Sequence, residues 1–153
     1  MLFRSMGVPI AGGSPRRIAG ADADAGGLTT DGENLYWLTP SGVWKAPCAG
    51  TPDGVAATLL SPPQEWNSVD DTIGIDGEAQ IVLDGKNVYW TEGDGTTGVV
   101  ATAPIVPGVV TRLSSFDEQP TGIAVGPTGV YWGDLGRILP PLVSGSLRWV
   151  ARP

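Results

Sequence analysis

Apolar residues fall in short runs along the chain, and glycine, proline or a polar cluster interrupts them every few positions. Ile81-Val82-Leu83 leads through Asp84-Gly85-Lys86-Asn87 into Val88-Tyr89-Trp90. Ile123-Ala124-Val125 leads in the same way through Gly126-Pro127-Thr128-Gly129 into Val130-Tyr131-Trp132. Leu28-Thr29-Thr30, Asp31-Gly32-Glu33-Asn34 and Leu35-Tyr36-Trp37 form a third copy, aligned without a gap. Two β-rich runs around a tight Gly-bearing turn are a hairpin signal. No window carries apolar residues at i, i+3, i+4 and i+7, so essentially no helix is expected.

Each Tyr-Trp pair is followed by a second half, in which a proline precedes a glycine by three or four residues: Pro47 and Gly50, Pro104 and Gly108, Pro141 and Gly145. A further apolar run follows, ending in Leu59-Leu60, Arg112-Leu113 and Trp149-Val150. Four strands, A to D, in about 40 residues match a propeller blade better than a helical repeat. The chain opens on a second half alone, Pro9 to Ala19. The expected fold is therefore an all-β, β-propeller fragment of four-stranded antiparallel blades. Residues 1–19 supply a half blade (strands C and D), and blades follow over 28–60, 80–114 and 121–151. A long acidic loop, 61–79, separates the first two full blades.

Strand alternation explains why the two rings recur. It puts Val88 and Trp90 on one face and Tyr89 on the other, and blades stacked on both faces need bulk on both. Burying one Trp removes about 200 Å² from water, on the order of 5 kcal/mol before entropic costs. Blade-to-blade packing is the stronger reading of these aromatics, and an aromatic binding surface the weaker one.

Composition narrows the chemistry. Glycine (23) and proline (14) are abundant enough to suggest disorder, but apolar residues at 41% and regularly placed tryptophans argue for many short strands instead. A net charge of −7 with nine basic residues argues against a nucleic-acid partner, because phosphate neutralisation needs clustered bases. The absence of histidine removes the commonest general base and metal ligand. Cys48 is the only cysteine, which leaves no internal disulfide and no Cys-based zinc site, and no cationic cluster stands near it to make it reactive. No run reaches the length of a membrane span, and the first residues lack the apolar stretch of a secretory signal.

The units Ile81-Val82-Leu83-Asp84 to Val88-Tyr89-Trp90-Thr91 and Ile123-Ala124-Val125 to Val130-Tyr131-Trp132 resemble the YWTD repeat of six-bladed propellers of low-density-lipoprotein-receptor type. They are similar also to bacterial surface or periplasmic proteins with IAVD…VYWT repeats. The resemblance implies a propeller of six or more blades, of which this chain holds about three and a half, and an extracytoplasmic full-length parent. It implies no shared catalytic motif. The fourth motif position here is Leu38, Thr91 and Gly133, the Asp84 position becomes Gly126, and Cys48 stands alone where bacterial relatives often carry a pair.

Sorting loops by the side of the disc they reach puts most of the sixteen acids, and none of the nine bases, in the D-to-A and B-to-C connections. Turn chemistry in an acidic protein accounts for much of this. The functional alternative is a negative face for Ca²⁺ or a basic protein. Its metal candidates are Asp70, Asp71, Asp76 and Glu78 in loop 61–79, although their spacing fits no calcium motif. Its partner-binding candidates are Glu92, Asp94, Asp117, Glu118 and Asp134. Asp31 and Asp84 read as turn residues. The leading functional expectation is a non-catalytic binding or scaffold propeller, with the remaining blades or a second copy of the chain as its first partner. The alternatives are a fragment of a metal-dependent lactonase- or lyase-like propeller enzyme, and a truncated reading frame without a function of its own.

Overall fold

The computed structural model describes residues 4–20, 26–39, 41–50, 57–61, 79–93, 97–114, 117–136 and 145–153. Every regular element among them is a β-strand, and all pairings are antiparallel. The first sheet is a hairpin of β1 (Arg4–Gly7) and β2 (Arg16–Gly20). The second is a meander of β3 (Gly26–Thr30), β4 (Asn34–Thr39), β5 (Gly42–Pro47) and β6 (Thr58–Ser61). The third repeats it with β7 (Ile81–Leu83), β8 (Asn87–Gly93), β9 (Gly98–Pro104) and β10 (Thr111–Arg112). The fourth has three strands: β11 (Pro120–Val125), β12 (Gly129–Asp134) and β13 (Ser146–Ala151).

The hairpin turns follow directly from their residues. Asp31 Oδ1 accepts the backbone N–H of Glu33 (2.9 Å) and Asn34 (2.7 Å), and Asp84 Oδ1 accepts those of Lys86 (2.9 Å) and Asn87 (2.8 Å). A short acidic side chain thus mimics a backbone turn, while Gly32 and Gly85, at φ 93° and 86°, take the left-handed conformation that the next position requires. In the third copy Gly126 N–H bonds Gly129 O at 2.8 Å instead.

The sheets stack on one another, and the paired rings are the contact. Tyr36 and Leu38 of β4 pack with Val88 and Trp90 of β8 in one cluster. Tyr89 of β8 packs with Val130 and Trp132 of β12 in the next. Trp37, on the opposite face of β4, lies with Ala46, Leu35 and Trp44. A strand exposes successive side chains on opposite faces, so β8 sends its Trp toward the preceding sheet and its Tyr toward the following one, as β4 does with its Tyr and β12 with its Trp. The Trp-type face of one sheet therefore covers the Tyr-type face of the sheet before it.

Basic side chains tie neighbouring sheets together near the hairpin turns. Arg16 donates to Ala49 O (2.6 Å) and Cys48 O (3.2 Å), and Lys45 reaches Ile105 O (3.5 Å) while lying 5.4 Å from the centre of the Tyr36 ring. Arg152 Nη2 bonds Asp84 Oδ2 at 2.6 Å, joining the fourth sheet to the third.

The end of the chain departs from expectation. The apolar run ending in Trp149-Val150 is expected as a fourth strand, but it forms β13, which pairs with β12 over its whole length, from Gly129↔Ala151 to Asp134↔Ser146. It thus takes the third-strand place held by β5 and β9. The reason is register: Leu147, Trp149 and Ala151 fall opposite Gly133, Tyr131 and Gly129, where Gly129 leaves room for the Tyr131–Trp149 stack (centroids 6.5 Å apart).

Candidate functional site

A cleft of about 510 Å³ opens between the third and fourth sheets, lined by Leu113, Ser114, Asp117, Trp132, Arg148, Trp149 and Val150. Strand geometry brings these residues together. Trp132 and Arg148 are direct cross-strand partners and so share the face toward the third sheet. Asp117 is pinned by reciprocal backbone bonds with Gly98, N–H to O at 2.9 and 2.8 Å. Gly98 allows this because its own backbone is packed against Glu92 O and Pro120 with no room for a side chain. Gln119, at φ 58°, turns the chain so that its carbonyl accepts the Leu135 N–H, and the Glu118 carbonyl accepts that of Gly136.

Charge at the cleft is concentrated on three side chains. Arg148 Nη1 lies 3.1 Å from Asp117 Oδ1, and its Nε lies 3.0 Å from Asp134 Oδ2. The carboxylates are 1% and 3% exposed, while the Arg148 side chain is 49% exposed. Asp134 Oδ1 also accepts the Gly136 N–H at 3.1 Å. Neither oxygen of Asp117 has a hydrogen bond of good geometry, and Trp132 Nε1 is buried without an acceptor. Two buried carboxylates thus face one half-exposed guanidinium at the mouth of the cleft. The arrangement can hold a cationic or hydrogen-bond-donating group, with the Trp132 indole beside it.

The other sequence candidates fall in different places. Glu92 accepts the Trp90 indole N–H at 3.0 Å, which ties it to the sheet interior. Asp117 and Asp134 are buried around Arg148 rather than spread on an open acidic surface. Glu118 is half-buried beside them. Asp70, Asp71, Asp76, Glu78 and Asp94 lie outside the described residues. Among the described residues no group of three or more carboxylate or thiol side chains could hold a metal ion, and no helix is long and apolar enough to cross a membrane.

Arg148 sits on a strand, outside the loops that carry most of the acids. Its signal in the sequence was its place directly before Trp149, opposite a recurring Tyr-Trp pair, but only the register of β13 shows that it reaches two acids from the acidic side.

Among the described residues two turn carboxylates have clearly lowered pKa values. Burial raises the pKa of Asp31, but the Tyr36 hydroxyl and the Asn34 and Glu33 N–H groups together outweigh it and hold the carboxyl well below its usual range. Burial likewise opposes ionisation of Asp84, and the N–H groups of Asn87 and Lys86, the Tyr89 hydroxyl and the Arg152 charge bring its pKa down. Tyr36 and Tyr89 shift upward, by burial first and by the adjacent carboxylates second. Cys48 is half-buried with Sγ 3.4 Å from Thr30 Oγ1. No protein-family model, curated protein or solved structure matches this chain.

Proposed function

We propose that the chain is a non-catalytic binding scaffold, a segment of β-propeller type whose sheets serve as successive blades. The observation that supports it best is the repeated interlock of the rings: a Tyr-type face is covered by a Trp-type face at both junctions that join consecutive Tyr-Trp sheets. The outer face of the fourth sheet is a Tyr-type face of the same make. Tyr131 lies there beneath Trp149, which is 64% exposed, next to Leu147 at 80%. Contiguous apolar surface of this kind marks an interaction site, and a stack that propagates by nearest-neighbour contacts supplies its natural cover, another sheet of the same repeat.

Sedimentation equilibrium tests this reading. The wild-type chain is expected to self-associate through this face, and the double variant Leu147→Glu, Trp149→Glu to sediment as a monomer with an unchanged β-type circular dichroism spectrum. A wild-type chain that is monomeric over a wide concentration range would overturn the reading.

A further inference from the structure

We infer that the outer edge of β13 is a strand-addition site for an extended peptide carrying a basic side chain followed by a leucine. The inference stands on the edge and the cleft beside it, whether or not the sheets belong to a propeller.

In the second and third sheets the third strand carries a fourth along its outer edge: β6 beside β5, and β10 beside β9. Among the described residues β13 has no such neighbour. The N–H and C=O groups along this edge, unpaired among the described residues, form a template for another strand. The two fourth strands show what such an edge accepts, since Thr58-Leu59-Leu60-Ser61 and Thr111-Arg112-Leu113-Ser114 share a Thr-x-Leu-Ser pattern.

The pairing fixes where each side chain of an added strand points. In the third sheet Arg112 lies opposite Ala101, on the face toward the preceding sheet, while Leu113 joins the cluster toward the following one. Leu113 N–H bonds Val100 O at 2.8 Å, and Ser114 Oγ accepts the Val100 N–H at 2.8 Å. Through their partners on β8 and β12, Ala101 corresponds to Arg148 and Val100 to Leu147. A Thr-x-Leu-Ser segment on β13 therefore directs x into the cleft at Arg148 and sets its leucine against Leu147 and Trp149.

Charge selects x. The cleft holds two buried carboxylates against one guanidinium, and Asp117 carries acceptor capacity that no hydrogen bond uses. A basic x brings the count to balance, whereas an acidic x adds a third negative charge. The leucine in turn covers side chains that are now 80% and 64% exposed.

The test uses the whole chain and a fluorescently labelled peptide copying residues 108–115, Gly-Val-Val-Thr-Arg-Leu-Ser-Ser. The expected results are a saturable rise in anisotropy and slowed amide exchange within 146–151, read by mass spectrometry. Replacing the peptide arginine with glutamate is expected to weaken binding about tenfold or more, and N-methylation of the edge-facing amides to abolish it. Asp117→Asn should narrow the gap between the two peptides. The inference fails if 146–151 gains no protection, or if the glutamate peptide binds as tightly as the arginine peptide. Because the decisive comparison alters the peptide alone, a poorly folding protein variant does not blur it, and the sedimentation of the chain does not enter the readout.

Discussion

Tyr89 donates its hydroxyl hydrogen to Asp84 Oδ2 at 2.9 Å, closing a ring of contacts between a hairpin turn and the strand that leaves it. Tyr36 and Asp31 repeat the bond at 2.7 Å. Tyr131 cannot, because Gly126 stands at the carboxylate position, and its hydroxyl meets Thr128 Oγ1 at 3.3 Å instead. The edge of the Tyr131 ring sits where a Gly126 side chain would begin, with Cε2 3.0 Å from that position.

Tyr→Phe substitutions should separate the three copies. A hydrogen bond to a charged acceptor contributes about 1.5–3 kcal/mol, so Tyr89→Phe and Tyr36→Phe are expected to lower stability by that order. Tyr131→Phe should cost well under about 1 kcal/mol, since its partner is neutral and its site exposed. Urea unfolding followed by tryptophan fluorescence gives the comparison, and equal losses in all three would contradict it.

Acid should unfold the chain through the same turns. Asp31 and Asp84 have folded-state pKa values below the ordinary 3.8. A depressed carboxyl contributes stability that is present above the unfolded value and is lost as pH falls through the folded one. The melting temperature is therefore expected to hold down to about pH 4 and then to drop. Asp84→Asn should flatten that drop and also weaken the link to Arg152.

The tryptophans offer a contrast between satisfied and unsatisfied donors. Trp90 Nε1 bonds Glu92, whereas Trp132 Nε1 is buried without an acceptor. Replacement by Phe removes similar volume at both sites. Trp90→Phe is expected to cost about 1 kcal/mol more than Trp132→Phe, because it also removes a hydrogen bond to a carboxylate. Thermal melting of the two variants at neutral pH measures the difference, and a larger loss at Trp132 would refute it.

Gly98 is a tight steric constraint beside the cleft. A Cβ there would fall 2.5 Å from Pro120 Cδ and closer still to the Glu92 carbonyl oxygen. Gly98→Ala is expected to destabilise by about 2 kcal/mol or more through strain in a packed interior. It should also loosen the Gly98–Asp117 bridge, which faster amide exchange at Asp117 would report.

The sequence by itself determined the strands and their rhythm, because alternation and turn chemistry are local. Asp31-Gly32 and Asp84-Gly85 could close their turns from a few neighbouring residues, and the opposite facing of Val88 and Tyr89 follows from the strand period alone. Tertiary structure decided what those local rules leave open. The register that makes β13 a third strand depends on Gly129 yielding space to Trp149 across the sheet. The meeting of Asp117, Asp134 and Arg148 depends on two segments distant in sequence being pressed together between stacked sheets. Long-range placement of that kind is set by packing, which no stretch of neighbouring residues encodes.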